Sequence, residues 1–442
     1  MMQKLILSTL IISAILAVGG CSGKVSLDHL LASKTPYEQY VSSLNKASLQ
    51  QTLLGKRWLE AGEKSLRDSL YVALPHAEKG YFTDESPTAV ALRYSVQQGQ
   101  AIRVSLLSTL ADSVKFFMDI FELNGNTFEP VMSSDTLRTL TYEVEESGIH
   151  VLRLQPELLV SSGYDLRIES EATLGFPVAG KDRLAVGSFF GAPRDGGQRS
   201  HKGIDIFASR GTPVVAAYDG TVSPKMQNRL GGKVVWLSNL KKKFNQYYAH
   251  LDSQIVNPGQ RIARGDTLGF VGNTGNARTT PPHLHFGLYA FGRGAVDPYP
   301  FVITNPLDEA VLAVDTAFIG REARIQTALA NIRQAPTTEA PVLQTVSQYT
   351  PIQVSGATGK WYRVQLPDGM NGFVHRSLIQ KMDAPLSTLL VTEANQPYLT
   401  LYPQQSLAQL WAGQEVKVLA SYQSHWYVET SEGERLWLLK SA

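Results

Sequence analysis

Gly265-Asp266-Thr267-Leu268-Gly269-Phe270-Val271-Gly272-Asn273-Thr274-Gly275, followed after Pro282 by His283-Leu284-His285-Phe286, decides how this chain is read. Glycine and Asn-Thr-Gly punctuate short apolar runs, so the segment reads as strand, turn and strand. In a strand, alternate residues point to the same face. His283 and His285 would therefore present two imidazoles to one cleft while Leu284 packs on the opposite side. Upstream, His201-Lys202-Gly203-Ile204-Asp205 sets a histidine and a carboxylate around a glycine, whose backbone freedom lets both side chains converge. Tyr248-Ala249-His250-Leu251 adds a further imidazole. Taken singly, these strings read as a surface loop, a buried hydrogen-bonded couple and a structural histidine. Their joint occurrence argues otherwise, because four of the nine histidines fall in this one glycine-rich β region. Neutral imidazole and carboxylate hold a hydrolytic zinc while leaving a position open for water. The five residues thus form a candidate metallohydrolase centre.

Gly211-Thr212-Pro213-Val214, Gly220-Thr221-Val222, Tyr248-Ala249-His250-Leu251, the glycine-rich run 269–275 and Pro282-His283-Leu284-His285-Phe286 agree in order and spacing with a known pattern. Over residues 185–300 the chain resembles the lysostaphin-type, or LytM, zinc metalloendopeptidases. The resemblance implies one zinc ion, with His201, Asp205 and His285 as its ligands and His250 and His283 as the catalytic pair. In such a site one histidine takes the proton of water, and the pair stabilises the oxyanion and protonates the leaving amine. Which histidine does which stays open. No His-Glu-x-x-His string supplies a glutamate base, so the histidines must serve.

The same resemblance implies peptidoglycan as substrate, with Gly-Gly bridges and D-Ala-to-diaminopimelate cross-links both open. A second reading is a non-catalytic, wall-binding activator of amidases, as some LytM-domain proteins are. Those commonly lack ligands or catalytic histidines that this chain keeps. A third is a zinc peptidase acting on exported proteins or antimicrobial peptides.

A chain of 442 residues exceeds one ordinary core, and at roughly 100–200 residues per domain it should be modular. With 41 basic against 39 acidic side chains it has no strong field to recruit nucleic acid. Lys241-Lys242-Lys243 reads as a solvated hairpin tip. The expected fold is mainly β and multidomain: an N-terminal helical segment, a β-sandwich, an antiparallel-β metallopeptidase domain and two small SH3-like barrels.

Residues 21–81 carry Tyr, Leu and Trp stripes at helical spacing that should face a core. Residues 82–172 alternate with period two and predict the sandwich; Gly163-Tyr164-Asp165-Leu166-Arg167-Ile168 is similar to the last strand of prepeptidase C-terminal-type domains. The peptidase domain is expected over 178–302 and a connecting helix over 303–328, from Leu307, Leu312, Val314, Ile319, Ala323 and Ile325. Beyond it, Trp361-Tyr362-Arg363-Val364 with Gly372-Phe373-Val374 is echoed by Trp426-Tyr427-Val428 with Leu436-Trp437-Leu438. The echo predicts duplicated barrels over 329–382 and 383–442 that resemble bacterial SH3 domains. In these barrels Trp361, Tyr362, Trp426 and Trp437 are expected in the cores more than on a ligand platform.

Lys4, the apolar stretch Leu5 to Val18 and Gly19-Gly20-Cys21-Ser22 have the layout of a secretory signal over residues 1–20. The stretch is short for a membrane-spanning helix, which needs about 20 apolar residues. Val18-Gly19-Gly20-Cys21 resembles the lipobox of bacterial lipoproteins, which implies lipidation of Cys21 and membrane attachment through it. Cys21 is the only cysteine of the chain, so no internal disulfide is possible. By the same resemblance, Ser22 after the cysteine implies sorting to an outer membrane, facing the periplasm. The sequence leaves the oligomeric state open.

Overall fold

The computed structural model describes residues 34–110, 114–305, 312–392 and 410–440. The signal region and Cys21 lie outside the described residues, as does Leu307, expected in the connecting helix.

Helix α1 (Pro36–Lys46) begins with proline in its first turn and a reciprocal cap. The Thr35 hydroxyl accepts from the Glu38 amide at 3.2 Å, and the Glu38 carboxylate accepts from the Thr35 amide at 2.9 Å. Helix α2 (Leu53–Arg67) is capped by Thr52. Both bury aromatic residues against the sandwich: Tyr37 stacks on Trp58 at 5.1 Å, both meet Phe117, and the Trp58 indole donates to the Pro156 carbonyl at 2.8 Å.

The sandwich beneath has a five-stranded sheet facing the strands 162–172, 100–108, 139–143 and β1 (His76–Phe82). Tyr94, Ile102, Val104, Leu106, Leu152 and Leu166 fill the space between them. The helical region ends at Arg67, so the sandwich starts before residue 82. β1 was invisible to hydrophobic alternation because its inward positions hold His76, Glu78 and Gly80. Glu78 is buried against Arg363 (3.1 Å) and Tyr164 (2.8 Å), which lets a carboxylate occupy a core position.

The central domain is a nine-stranded antiparallel sheet. Its middle consists of β2 (Ile204–Phe207), β3 (Gly232–Asn239), β4 (Phe244–Leu251) and β5 (His283–Ala290), in the spatial order β2-β5-β4-β3. Ile204, Ile206, Tyr248, Leu284, Phe286 and Leu288 point into one core. Alternation therefore leaves Asp205, His283 and His285 on the other face. Lys241 to Lys243 form the β3–β4 turn, where Lys242 pairs with Glu143 of the sandwich at 2.6 Å.

No helix spans 303–328 among the described residues. A short helix, Tyr299–Val302, precedes the segment, and a single turn at Thr316–Phe318 and a strand, Glu322–Ile325, follow within it. Leu312, Val314, Phe318 and Ile319 each pack on the first barrel instead of forming one helical stripe, and Gly320 turns the chain at φ +81°.

That barrel contains β6 (Pro351–Thr358) and β7 (Trp361–Gln365). β6 pairs with β1, Lys79 opposite Ala357 and Gly80 opposite Gly356, so one sheet runs from the sandwich into the barrel. Tyr362 and Val364 fill the barrel core, while Trp361 packs on the sandwich core and Arg363 reaches Glu78. A four-stranded sheet over 387–439 completes the described chain, with Trp437 buried and Trp426 partly so.

Candidate metal centre

The antiparallel register sets Asp205 directly opposite His285 across β2 and β5, with Phe207 opposite His283. Cross-strand partners share a face, so the carboxylate and the imidazole meet without a loop to position them. His201 precedes β2 and is tied by its own amide to the Ala192 carbonyl at 2.8 Å. Gly203 passes so close to β5 that an added Cβ would lie 2.4 Å from the Phe286 carbonyl oxygen and 2.8 Å from His285 Nε2.

His250 arrives differently. Two residues after the core-facing Tyr248, it would in a regular strand share that residue's face. Between Val235 and Lys233 the β3–β4 register slips, Val235 facing Tyr248 but Lys233 facing Leu251, which leaves an extra residue in β4. His250 there takes φ +64°, a left-handed conformation that costs a non-glycine residue roughly 1–2 kcal/mol. The bulge re-aims its ring, which lies 5.0 Å from the His283 ring and 5.9 Å from that of His285, centroid to centroid. All five residues proposed from sequence are thereby brought together, and all but His285 are buried.

Three atoms converge. His201 Nε2 is 2.9 Å from His285 Nδ1, and Asp205 Oδ1 is 3.0 Å from each. Tetrahedral zinc with ligand bonds of ~2.0–2.1 Å separates its ligands by about 3.3 Å, so the triangle has nearly the size the ion requires. The chemistry of the donors fits as well. His201 Nδ1 lies 2.9 Å from the Phe189 carbonyl, which can only accept, so the proton sits on Nδ1 and Nε2 brings a lone pair to the triangle. Among the described residues this is the one group of three His, Cys, Asp or Glu side chains close enough to share an ion.

Burial opposes ionisation of Asp205, but its contacts with His201 and His285 outweigh it and hold the carboxyl well below the usual range. Burial pushes His285 down, against the pull of Asp205. His250 falls to about 4 through burial, helped by His285 and His283. The carboxylate is thus ionised and these two imidazoles are neutral near pH 7, the forms a cation site needs.

The two remaining histidines are locked in one tautomer. His250 Nδ1 donates to the Thr274 carbonyl and His283 Nδ1 to the Pro281 carbonyl, each at 2.9 Å. The lowered pKa of His250 leaves a lone pair on its Nε2 near pH 7.

Residues 199–298 match Peptidase family M23, and residues 327–380 match the bacterial SH3 domain. The chain carries an M23 peptidase domain. This domain is 38% identical over 137 residues to an L-Ala–D-Glu endopeptidase of Bacillus subtilis, a match covering 28% of this chain and 41% of that protein. The peptidoglycan DD-endopeptidase ShyC of Vibrio cholerae is 37% identical over 94 residues, covering 21% of each chain. The catalytic domain of lysostaphin from Staphylococcus simulans is 33% identical, covering 26% of this chain and 89% of that one, with a TM-score of 0.24. The chain spans less than half the length of the two curated relatives.

One group beside the centre carries no signal in the sequence. Arg194 Nη2 donates to Asp205 Oδ2 at 2.6 Å and to the Ser188 hydroxyl at 2.7 Å. Pro193-Arg194-Asp195-Gly196-Gly197 reads only as a turn, and nothing local marks its arginine.

Proposed function

We propose that this chain is a zinc-dependent metalloendopeptidase that hydrolyses peptide cross-links of bacterial peptidoglycan. The observation that carries this reading is the triangle of His201 Nε2, His285 Nδ1 and Asp205 Oδ1, with two tautomer-locked histidines beside it. Relatives that share the domain are named as endopeptidases, two of them of peptidoglycan, which supports the substrate class.

His201, Asp205 and His285 would hold the zinc. A bound zinc ion supplies Lewis acidity to a peptide carbonyl and to water. The Nε2 lone pair of His250 or His283 accepts the proton of the attacking water, while each Nδ1 proton stays on its backbone carbonyl. The protonated ring then donates from Nε2, first toward the developing oxyanion and then to the leaving amine, returning the one proton it took from water. Burial of both rings excludes water and strengthens these contacts.

Mass spectrometry of cross-linked muropeptides digested with and without chelator tests the proposal. New amino termini from the wild-type chain that vanish with chelator are expected. Zinc-loaded protein that releases none, identically to His285→Ala, would sink the enzyme reading and leave that of a wall-binding activator.

The proposal extends to location: export, cleavage before Cys21 and lipid anchoring in the cell envelope, facing the periplasm from the outer membrane. Lys4, the apolar run to Val18 and the solitary Cys21 support it. Two acyl signals anchor stably where a single chain binds only marginally. Labelled palmitate should enter the wild-type chain and not Cys21→Ser; equal labelling would refute the anchor.

A further inference from the structure

Asp205 has two oxygens, and the fold treats them differently. Oδ1 sits 3.0 Å from both His201 Nε2 and His285 Nδ1, inside the triangle. Oδ2 points away from it and meets Arg194 Nη2 at 2.6 Å. The arginine is not a passing surface group. It belongs to a small hairpin in which Pro193 pairs with Ser200 and Arg194 with Arg199. That hairpin turns through Asp195, Gly196 and Gly197, all at positive φ. The Gly191 amide donates to the His201 carbonyl at 2.9 Å, and the His201 amide to the Ala192 carbonyl at 2.8 Å. One backbone ladder thus carries both Arg194 and the ligand His201. The same Nη2 atom also donates to the hydroxyl of Ser188, which pairs with Asp205 across the sheet edge. Arginine, carboxylate and hydroxyl are held from three separate segments.

We propose that Arg194 is a positioning residue for the metal: it occupies Asp205 Oδ2 so that the carboxylate offers one oxygen and leaves a coordination position free. An aspartate without this contact rotates about two side-chain torsions and brings its second oxygen toward the ion. A centre meant to bind water or a substrate carbonyl needs that position open. Outer partners of this kind typically change metal affinity by about 10- to 100-fold when removed. The inference rests on the zinc reading above and adds to it a residue outside the ligand set.

The test uses the full chain stripped of metal, titrated with cobalt(II), whose visible absorption reports coordination number, and with zinc against a chromophoric chelator. Arg194→Ala should bind zinc about 10- to 100-fold more weakly and show a weaker, shifted cobalt band. Arg194→Lys, which keeps a donor, should recover part of both. Arg199→Ala, which loosens the hairpin through its pair with Asp195, should leave both near wild type. The inference is overturned if Arg194→Ala stays within about threefold of wild-type affinity, well short of that range. It is equally overturned if its cobalt spectrum superimposes on wild type, or if Arg199→Ala has the same effect as Arg194→Ala. Failure of the wild-type chain to bind either metal would instead remove the zinc reading itself.

Discussion

The ring of His250 lies 5.0 Å from that of His283, although strand parity would put His250 on the face of Tyr248, in the core. A bulge in β4 and a left-handed residue make the encounter. The pair is set apart from the triangle, because neither ring belongs to the group of three side chains that, among the described residues, lie close enough to share an ion.

That separation predicts two mutant classes. His250→Ala and His283→Ala should keep stoichiometric zinc while kcat/KM on muropeptides falls about 10²- to 10⁴-fold, the usual worth of a general acid or base. His201→Ala, Asp205→Asn and His285→Ala should lose zinc and activity together. Metal analysis beside kinetics separates the classes, and zinc loss in His250→Ala would void the division of roles.

Gly203→Ala should damage the centre without touching a ligand. Its Cβ would press on the Phe286 carbonyl and on His285 Nε2, and overpacking of this kind costs typically ~1–3 kcal/mol. Weakened zinc binding with an unchanged circular dichroism spectrum is expected. Wild-type zinc affinity would contradict the crowding.

Glu78 and Arg363 join the sandwich to the first barrel as a buried pair at 3.1 Å. Arg363→Met or Glu78→Leu alone strands a buried charge and should cost about 3–5 kcal/mol, while the double replacement should cost much less. A double-mutant cycle by urea unfolding reads the difference. Additive costs would show that the pair is not coupled.

Acid should weaken the sandwich in two windows. Burial lowers His150 from 6.5 to about 4, so the unfolded chain binds its proton first and stability declines as pH falls from 6.5 toward 4. Burial works against the Glu78 carboxylate, but Arg363, His76 and Tyr164 prevail and lower it from 4.5 to about 2. Its contribution is complete above 4.5 and is lost as pH falls toward 2. Unfolding free energy measured against pH should show both declines, and Glu78→Gln should abolish the lower one.

Trp361→Ala should lower the melting temperature and leave wall binding intact. Its ring packs on the sandwich core, so this face of the first barrel is structural. Lost wall binding at unchanged stability would contradict that assignment.

Legible in the sequence alone were the mainly β class, the first SH3-like barrel and the five side chains that the fold gathers at one place. Each is a local matter: alternation assigns one face to His283 and His285, glycines mark the turns, and the imidazole and carboxylate types name the chemistry. Tertiary structure decided what depends on distant partners. β1 is a strand because Arg363, 285 residues away, neutralises Glu78 in its core row. The apolar residues of 312–325 join a barrel instead of a helix because its core collects them one by one. His250 turns toward His283 because the β3–β4 register slips, and Arg194 meets Asp205 because a hairpin folds back over it. Pattern reports which way a side chain points along its own strand; which group it meets there is settled by pairing and burial between segments far apart in the chain.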